Sequence, residues 1–112
     1  ERLFTVVTYG LSIVKPRPEA HRHYCIDDKR IRYGLSGREA AKLSGLDEII
    51  QARVCRCAFF STWILDVVRD IETYNLAKVG FFCWKGRHRS VAAAEILKRV
   101  YYPQANLQHL CL

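Results

Sequence analysis

The feature that most constrains the fold is an apolar segment that leads, through a few basic residues, into a helix-like one. Residues 78-KVGFFCW-84 form a nearly continuous apolar run, which is typical of a central strand covered on both faces. Residues 88–102 predict a helix, and Pro103 predicts its end because proline cannot continue a helix. A buried strand joined to a helix by a short loop is the unit from which parallel α/β sheets are built.

The other segments extend this unit into an α/β domain. The clearest helix lies within 58–75, where apolar side chains recur three and four residues apart and Tyr74-Asn75 mark the end. The remaining predicted elements are, in chain order, a strand at 4–10, a loop at 11–23, a strand at 24–26, short helical stretches within 38–43 and 44–50, and a last strand at 105–112. This order predicts a single three-layer, Rossmann-like domain over residues 1–112, with a small, mainly parallel sheet.

Charge is distributed unevenly along the chain. There are 18 Lys/Arg against 11 Asp/Glu in total, and from Lys78 onward six Lys/Arg face the single acid Glu95. A positive field concentrated in one third of a chain favours phosphates, nucleic acid or acidic partners. A solvated basic face that binds nothing is the alternative.

The five cysteines are an odd number in a chain whose apolar content supports a core. This is not the pattern of a secreted disulfide framework, so we expect buried free thiols in a reducing, cytoplasmic compartment. No apolar run is long enough to span a bilayer, and we expect no membrane partner. The chain starts at glutamate and has no methionine, which suggests a domain excised from a longer protein whose other domains are further partners.

Two closely spaced pairs have a composition that metal sites also use. They are His21 with His23 and Cys55 with Cys57, and neither is followed by a second pair at the usual ligand spacing. We therefore expect no metal and no cofactor, and we interpret Cys55 and Cys57 as core or strand-edge thiols.

The loop 83-CWKGRHRS-90 carries the strongest functional signal. Ligands of open α/β sheets collect at the carboxyl ends of strands, and a helix that begins near His88 offers unpaired amide N–H groups. Gly86 lets several of these amides converge on one anion. The loop therefore predicts an oxyanion site, most simply for phosphate, and a basic helix cap without a ligand is the alternative. The residues expected to contact the anion are Cys83, Lys85, Gly86, Arg87, His88, Arg89 and Ser90.

These eight residues resemble the signature of the protein tyrosine phosphatase superfamily: a cysteine, five residues, an arginine, then serine or threonine. The resemblance implies Cys83 as a thiolate nucleophile and Arg89 as the phosphate clamp. Two departures stand against it, since Phe82 replaces the usual histidine and no Trp-Pro-Asp general-acid loop lies upstream. The candidates for a general acid are Asp27, Asp28 and Asp47 in loops, and Asp66 and Asp70 on the predicted helix.

A second resemblance covers almost the whole chain. In order, its landmarks are 4-FTVVTYG-10, 25-CIDDK-29, 44-SGLD-47, the aromatic-rich helix 58–75, the loop 83–90, Ala94-Glu95 in the next helix and 107-LQHL-110. This order is similar to that of the C-terminal domain family of the bacterial RNase adapter proteins called RapZ. The resemblance implies a binding domain with a phosphate pocket, associated in that family with small-RNA binding and with sensing an amino-sugar phosphate.

By position, the resemblance also implies which residues surround the ligand. Residues 86–90 would hold the phosphate, and the cleft-lining candidates are Asp27, Lys29, Asp47 and His109. Trp84-Lys85 replaces smaller residues of that family and the stretch 15–23 differs from its loop, so the sugar specificity does not transfer.

Three functions remain open. We favour a non-catalytic phosphate-binding module for a phosphorylated metabolite or an RNA phosphate, because the second resemblance spans the chain. A cysteine-dependent phosphatase and a protein-interaction domain with a vestigial pocket are the alternatives. RNA contact would draw on further basic and aromatic side chains, namely Arg17, Arg22, Arg30, Arg32, Arg38, Tyr9, Tyr33, Trp84 and Tyr101.

Overall fold

The structure is a computed structural model that describes residues 3–26 and 35–112. Within these residues it contains four strands and four helices. In chain order they are β1 (Thr5–Gly10), β2 (Arg22–Cys25), α1 (Gly37–Ala41), α2 (Glu48–Cys55), α3 (Ala58–Tyr74), β3 (Lys78–Cys83), α4 (Arg89–Val100) and β4 (Asn106–His109). None of the helices in the described ranges is long and apolar enough to cross a membrane.

The four strands form one parallel sheet in the order β2-β3-β1-β4. β1 and β3 lie in the middle, and their register places Gly10 opposite Cys83 at the carboxyl ends of both strands. Parallel strands need crossover connections, and helices lie in the connections from β2 to β3 and from β3 to β4. The predicted α/β class and parallel sheet are confirmed, in an arrangement consistent with a three-layer, Rossmann-like fold.

Alternate residues of β3 face different layers. Val79, Phe81 and Cys83 belong to the main core, together with the buried residues of α2, α3 and α4. Phe82 faces the opposite side because side chains alternate along a strand, and its ring stacks on that of Tyr9. On this second face Gly80 is buried and Phe82 half-buried, so β3 has buried residues on both faces, as its continuous apolar sequence predicted.

The longest helix, α3, buries a single apolar stripe. Phe60, Ile64, Val67 and Ile71 are its buried residues, and their spacing of three and four residues is the pattern on which the helix was predicted. The helix ends where Asn75 adopts a left-handed φ of 50°, a conformation that Asn tolerates at helix C-termini.

The short helix α1 begins with a capping box that the sequence analysis did not identify. Ser36 Oγ accepts a hydrogen bond from the Glu39 amide at 3.1 Å, and Glu39 Oε1 accepts one from the Ser36 amide at 3.0 Å. The bond from the Ser36 backbone lowers the pKa of the Glu39 carboxyl. The cap fixes a helix whose Ala40 carbonyl reaches the 83–90 loop.

The interpretation of Cys55 as a core or strand-edge thiol is wrong. Helix α2 extends beyond the predicted 44–50, because Ile50 and Val54 continue a four-residue apolar spacing into the core. Cys55 follows Val54, so it points away from the core and is exposed. Cys57 is half-buried at the N-cap of α3, and Cys83 is the one buried cysteine among the described residues, all of whose cysteines are free.

Two strand boundaries also differ from the prediction. β2 begins at Arg22 rather than Tyr24, and β4 covers only Asn106–His109 of the predicted 105–112. Both are edge strands, whose ends are set by pairing with one neighbour and not by burial on two sides.

Candidate functional site

The 83–90 loop connects the carboxyl end of β3 to the start of α4. Arg89 is the first residue of α4, and the N-cap residue His88 makes no side-chain hydrogen bond to the first turn. The first amide N–H groups of a helix lack partners within the helix and carry partial positive charge. The loop therefore places a helix N-terminus, which attracts anions, at the carboxyl ends of the strands, where parallel α/β proteins bind their ligands.

Two glycines allow the loop to lie directly on the end of β1. Gly86 has a left-handed φ of 72°, and a Cβ there would lie 2.2 Å from the Gly10 nitrogen. A Cβ on Gly10 would lie 2.4 Å from the carbonyl carbon and oxygen of Lys85. Backbone atoms cannot give way as the end of a flexible side chain does, so this contact requires glycine on both sides.

The sulfur of Cys83 lies beneath the loop. The Gly86 N–H donates a 3.2 Å hydrogen bond to Sγ, and the thiol donates to Ser90 Oγ at 3.3 Å. Cys83 is only 6% exposed and Ser90 is fully buried. An amide and a hydroxyl thus converge on the sulfur, and the hydroxyl of Ser90, a predicted phosphate contact, is held at the thiol.

Arg87 and His88 are turned towards α1 and the chain that follows it. Arg87 Nε donates to the Leu43 carbonyl at 3.3 Å, and His88 Nε2 donates to the Ala40 carbonyl at 2.6 Å. The Gly45 amide donates to the Arg87 carbonyl at 2.9 Å. These bonds brace the loop, a role that the sequence analysis did not predict for either side chain.

The turn at 44–47 packs under the start of α4. Asp47 Oδ2 accepts from the Ser44 amide at 2.7 Å, and Ser44 Oγ accepts from the Leu46 amide at 3.1 Å. A Cβ on Gly45 would lie 2.3 Å from the nitrogen of Ala92, so the turn approaches α4 closely. The carboxylate of Asp47, a predicted cleft-lining residue, therefore shapes the turn that supports the loop.

Trp84 and Lys85 are the exposed residues of the loop. The Ser12 amide and hydroxyl both donate to the Trp84 carbonyl, at 3.0 Å and 2.7 Å, and fix the backbone there. Arg89 is half-buried in the first turn of α4. Both cations, Lys85 and Arg89, therefore lie within four residues of the N-cap residue His88, and cationic side chains form strong hydrogen bonds with anions.

His109, another predicted cleft residue, makes its hydrogen bonds elsewhere. His109 Nδ1 lies 2.8 Å from Thr8 Oγ1, and His109 Nε2 donates to Glu95 Oε2 at 2.9 Å. The described hydrogen bonds of His109 thus tie β4 to β1 and α4. The predictions for Asp27, Asp28 and Lys29 lie outside the described residues.

Two of the aspartates considered as general acids lie on α3 and accept hydrogen bonds from basic or hydroxyl side chains. Asp66 accepts from Arg69 at 2.7 Å, while Asp70 accepts from Arg22 at 3.3 Å and from the Tyr24 hydroxyl at 3.0 Å. Burial, with the hydrogen bond to Asp70, raises the pKa of Tyr24 to about 12. These carboxylates therefore balance charge on the helix surface.

Tyr9, one of the aromatic residues considered for base stacking, is unsuitable. It is fully buried, and its hydroxyl lies 2.8 Å from His23 Nδ1. Burial raises the pKa of Tyr9, and burial together with the charge of Arg17 lowers the pKa of His23. Trp84 and Tyr101 are exposed, so stacking remains open to those two, and Tyr33 lies outside the described residues.

Other surfaces offer less defined sites. Within residues 3–26 and 35–112, no group of three or more His, Cys, Asp or Glu side chains could hold a metal ion. A depression of about 300 Å³ lies between α3 and the end of α4, and another of about 350 Å³ lies beside Glu95 and Pro103. Neither is lined by residues of the 83–90 loop.

No model of a known protein family matches the chain, and no curated protein matches it as a relative. The two resemblances seen in the sequence therefore stay predictions. The geometry of the 83–90 loop is what bears on function.

Proposed function

We propose that the domain binds a phosphate group in the 83–90 loop, as a sensor of a phosphorylated metabolite or as a reader of RNA phosphate. The observation that carries the proposal is the path of the loop. Gly86 folds it onto β1, and α4 begins three residues later at Arg89, so the start of the helix lies in the same short loop as Lys85. Converging amides and cations at a helix start are the ordinary means by which proteins hold phosphate.

The side chains of the loop divide between support and contact. Arg87 and His88 bond to backbone carbonyls and hold the loop in place. Lys85 then supplies a point charge, and Arg89 a planar fork that can bond two phosphate oxygens at once. We therefore expect Arg89 to contribute most to affinity.

A second candidate, a cysteine-dependent phosphatase, is favoured by one observation. The Gly86 amide points at Cys83 Sγ, and Ser90 Oγ lies beside it, an arrangement that can stabilise a thiolate. In such a reaction the thiolate attacks phosphorus, the ester oxygen leaves with a proton from an acid, and water then releases phosphate. The burial of Cys83 and the other partners of Asp66 and Asp70 favour binding over turnover.

Thermal unfolding in increasing inorganic phosphate tests the binding proposal. A ligand that binds only the folded state raises the melting temperature with its concentration. We expect this rise in the wild-type chain and in Arg69→Ala, whose guanidinium lies on α3, and its loss in Arg89→Ala. A phosphate response that survives Arg89→Ala unchanged would overturn the proposed site.

Hydrolysis of an aryl phosphate separates the two candidates. We expect no turnover by the wild-type chain and a normal phosphate response in Cys83→Ser. Turnover that disappears in Cys83→Ser, while the phosphate response remains, would establish the phosphatase.

A further inference from the structure

The end of the molecule that carries the loop also carries exposed apolar side chains. Trp84 is 56% exposed and Ile13 is 62% exposed, although both are large enough to contribute to a core. We refer to the exposed apolar residues of this end as the apolar rim: Leu11, Ile13, Leu46, Trp84, Leu110 and Leu112. Single exposed apolar residues are common on proteins, but several around one site mark an interaction surface.

Hydrogen bonds place the first part of the apolar rim beside the loop. The Leu11 amide donates to the Cys83 carbonyl at 2.9 Å. The two bonds from Ser12 to the Trp84 carbonyl hold the next residue against the loop as well. Leu11 and Ile13 therefore flank Trp84 at the carboxyl ends of β1 and β3.

The rest of the apolar rim reaches the loop from two other directions. Leu46 follows Gly45, whose amide bonds the Arg87 carbonyl. Leu110 and Leu112 flank Cys111, whose sulfur accepts a 3.3 Å hydrogen bond from the Gly10 amide. Since Gly10 lies directly under Lys85 and Gly86, all three directions converge on the phosphate loop.

Positive charge accompanies this apolar surface. Lys15 and Arg17 are exposed in the connection that follows Leu11 and Ile13, and Lys85 is exposed next to Trp84. Aliphatic side chains, an interfacial tryptophan and flanking basic residues form the combination that binds the surface of an anionic bilayer.

We propose that this end of the domain docks on an anionic membrane surface, with the phosphomonoester headgroup of a lipid in the 83–90 loop and the apolar rim inserted among the acyl chains around it. This inference rests on the proposed phosphate site, and it identifies the bound phosphate group as a lipid headgroup. It also revises the expectation, drawn from the sequence, that no membrane is a partner.

Two other macromolecular ligands fit the apolar rim less well. Nucleic-acid interfaces are polar and use aromatic rings for stacking, whereas five of the six rim residues are aliphatic. Binding energy at protein interfaces concentrates in Trp, Tyr and Arg, and Leu is under-represented there. The rim has one tryptophan and four leucines, which favours insertion into lipid.

Co-sedimentation of the whole chain with vesicles tests the proposal. The vesicles are phosphatidylcholine alone, phosphatidylcholine with phosphatidic acid, whose headgroup is a phosphomonoester, and phosphatidylcholine with phosphatidylserine at matched charge. We expect binding in the order phosphatidic acid, then phosphatidylserine, then phosphatidylcholine alone. Ile13→Ser and Trp84→Ala should each lower the affinity for phosphatidic acid vesicles about tenfold, because each removes one inserted apolar side chain.

The matched control is Leu65→Ser, which removes a comparably exposed apolar side chain from α3. It should bind all three vesicles as the wild-type chain does. Ile13→Ser, whose residue lies outside the 83–90 loop, should keep the wild-type response to inorganic phosphate, which shows that the loop is intact.

The outcomes separate this inference from the proposed function. A chain that phosphate stabilises but that sediments with none of the vesicles overturns the membrane proposal and leaves phosphate binding standing. Equal binding to the two anionic vesicles, unchanged by Arg89→Ala, also overturns it, because the loop then holds no headgroup. Absence of any phosphate response in the wild-type chain removes the proposed function itself.

Discussion

Basic side chains are held differently at two places on this molecule. On the surface of α3, Arg69 pairs with Asp66, and Arg22 pairs with Asp70. In the 83–90 loop, Arg87 Nε donates to the Leu43 carbonyl, and the loop backbone packs against glycines on both sides. On α3 the basic side chains balance charge at a solvated surface. In the loop, they hydrogen-bond to the backbone of other segments and so hold the loop in its conformation.

The difference in construction predicts a difference in cost. Exposed ion pairs contribute little to stability because water solvates both partners. Close backbone contacts tolerate no added atom, so a single methyl group there must displace main chain. Substitutions should therefore be severe in the loop and mild on α3.

The largest effect is expected for Gly86→Ala. Its new Cβ would lie 2.2 Å from the Gly10 nitrogen, at a φ of 72° that alanine adopts only with strain. We expect a loss of about 3 kcal/mol in the free energy of unfolding, from overpacking and left-handed strain together. Denaturant unfolding of the variant measures this loss, and thermal unfolding in phosphate should show no response.

The matched control is Gly37→Ala at the start of α1, where a Cβ would meet no atom within 4 Å. Alanine there should raise the free energy of unfolding by about 0.5 kcal/mol, since glycine loses more backbone entropy on folding. If Gly86→Ala were as stable as Gly37→Ala, the loop backbone would not lie as close to β1 as the structure shows, and the prediction would be contradicted.

Much of the fold could be predicted from the sequence because its elements are defined locally. The three- and four-residue spacing from Phe60 to Ile71 predicts α3, and the apolar run at 78–84 predicts a central strand. The burial of individual cysteines was harder to predict from the sequence. The exposure of Cys55, for example, depends on how far α2 continues beyond its predicted end.

The candidate site could be predicted only as a location. Its residues are consecutive, so the motif identified the loop, but the partners of those residues come from distant parts of the chain. The Ala40 carbonyl lies 48 residues from His88, and the Leu43 carbonyl lies 44 residues from Arg87. Backbone carbonyls carry no sequence signal, so the bracing role of both side chains appears only in three dimensions.

An intermediate effect is expected for His88→Ala. The substitution removes the 2.6 Å hydrogen bond to the Ala40 carbonyl and loosens the loop from α1. We expect a loss of about 1–1.5 kcal/mol, the usual contribution of one intramolecular hydrogen bond. Arg69→Ala, which removes an exposed ion pair, should cost less than about 0.5 kcal/mol in the same denaturant titration. Equal losses in the two variants would erase the distinction between the loop and α3.

At neutral pH the smallest effect is expected for Tyr24, which bonds Asp70 on α3, because its contribution changes only at high pH. Burial and Asp70 raise its pKa from an unfolded value of about 10 to about 12 in the folded protein. Below pH 10 both states keep the phenol proton, so this stabilisation is complete; between about pH 10 and 12 the unfolded state loses its proton first, and stability falls. Tyr24→Phe should therefore decline less steeply over that range than the wild-type chain or the control Tyr101→Phe, in denaturant titrations at increasing pH. The slope that remains in Tyr24→Phe includes Tyr9, whose pKa burial also raises. If the free energy of unfolding of Tyr24→Phe fell with pH as steeply as that of the wild-type chain, the contact between Tyr24 and Asp70 would be solvated. The α3 surface would then differ even more from the closely packed 83–90 loop.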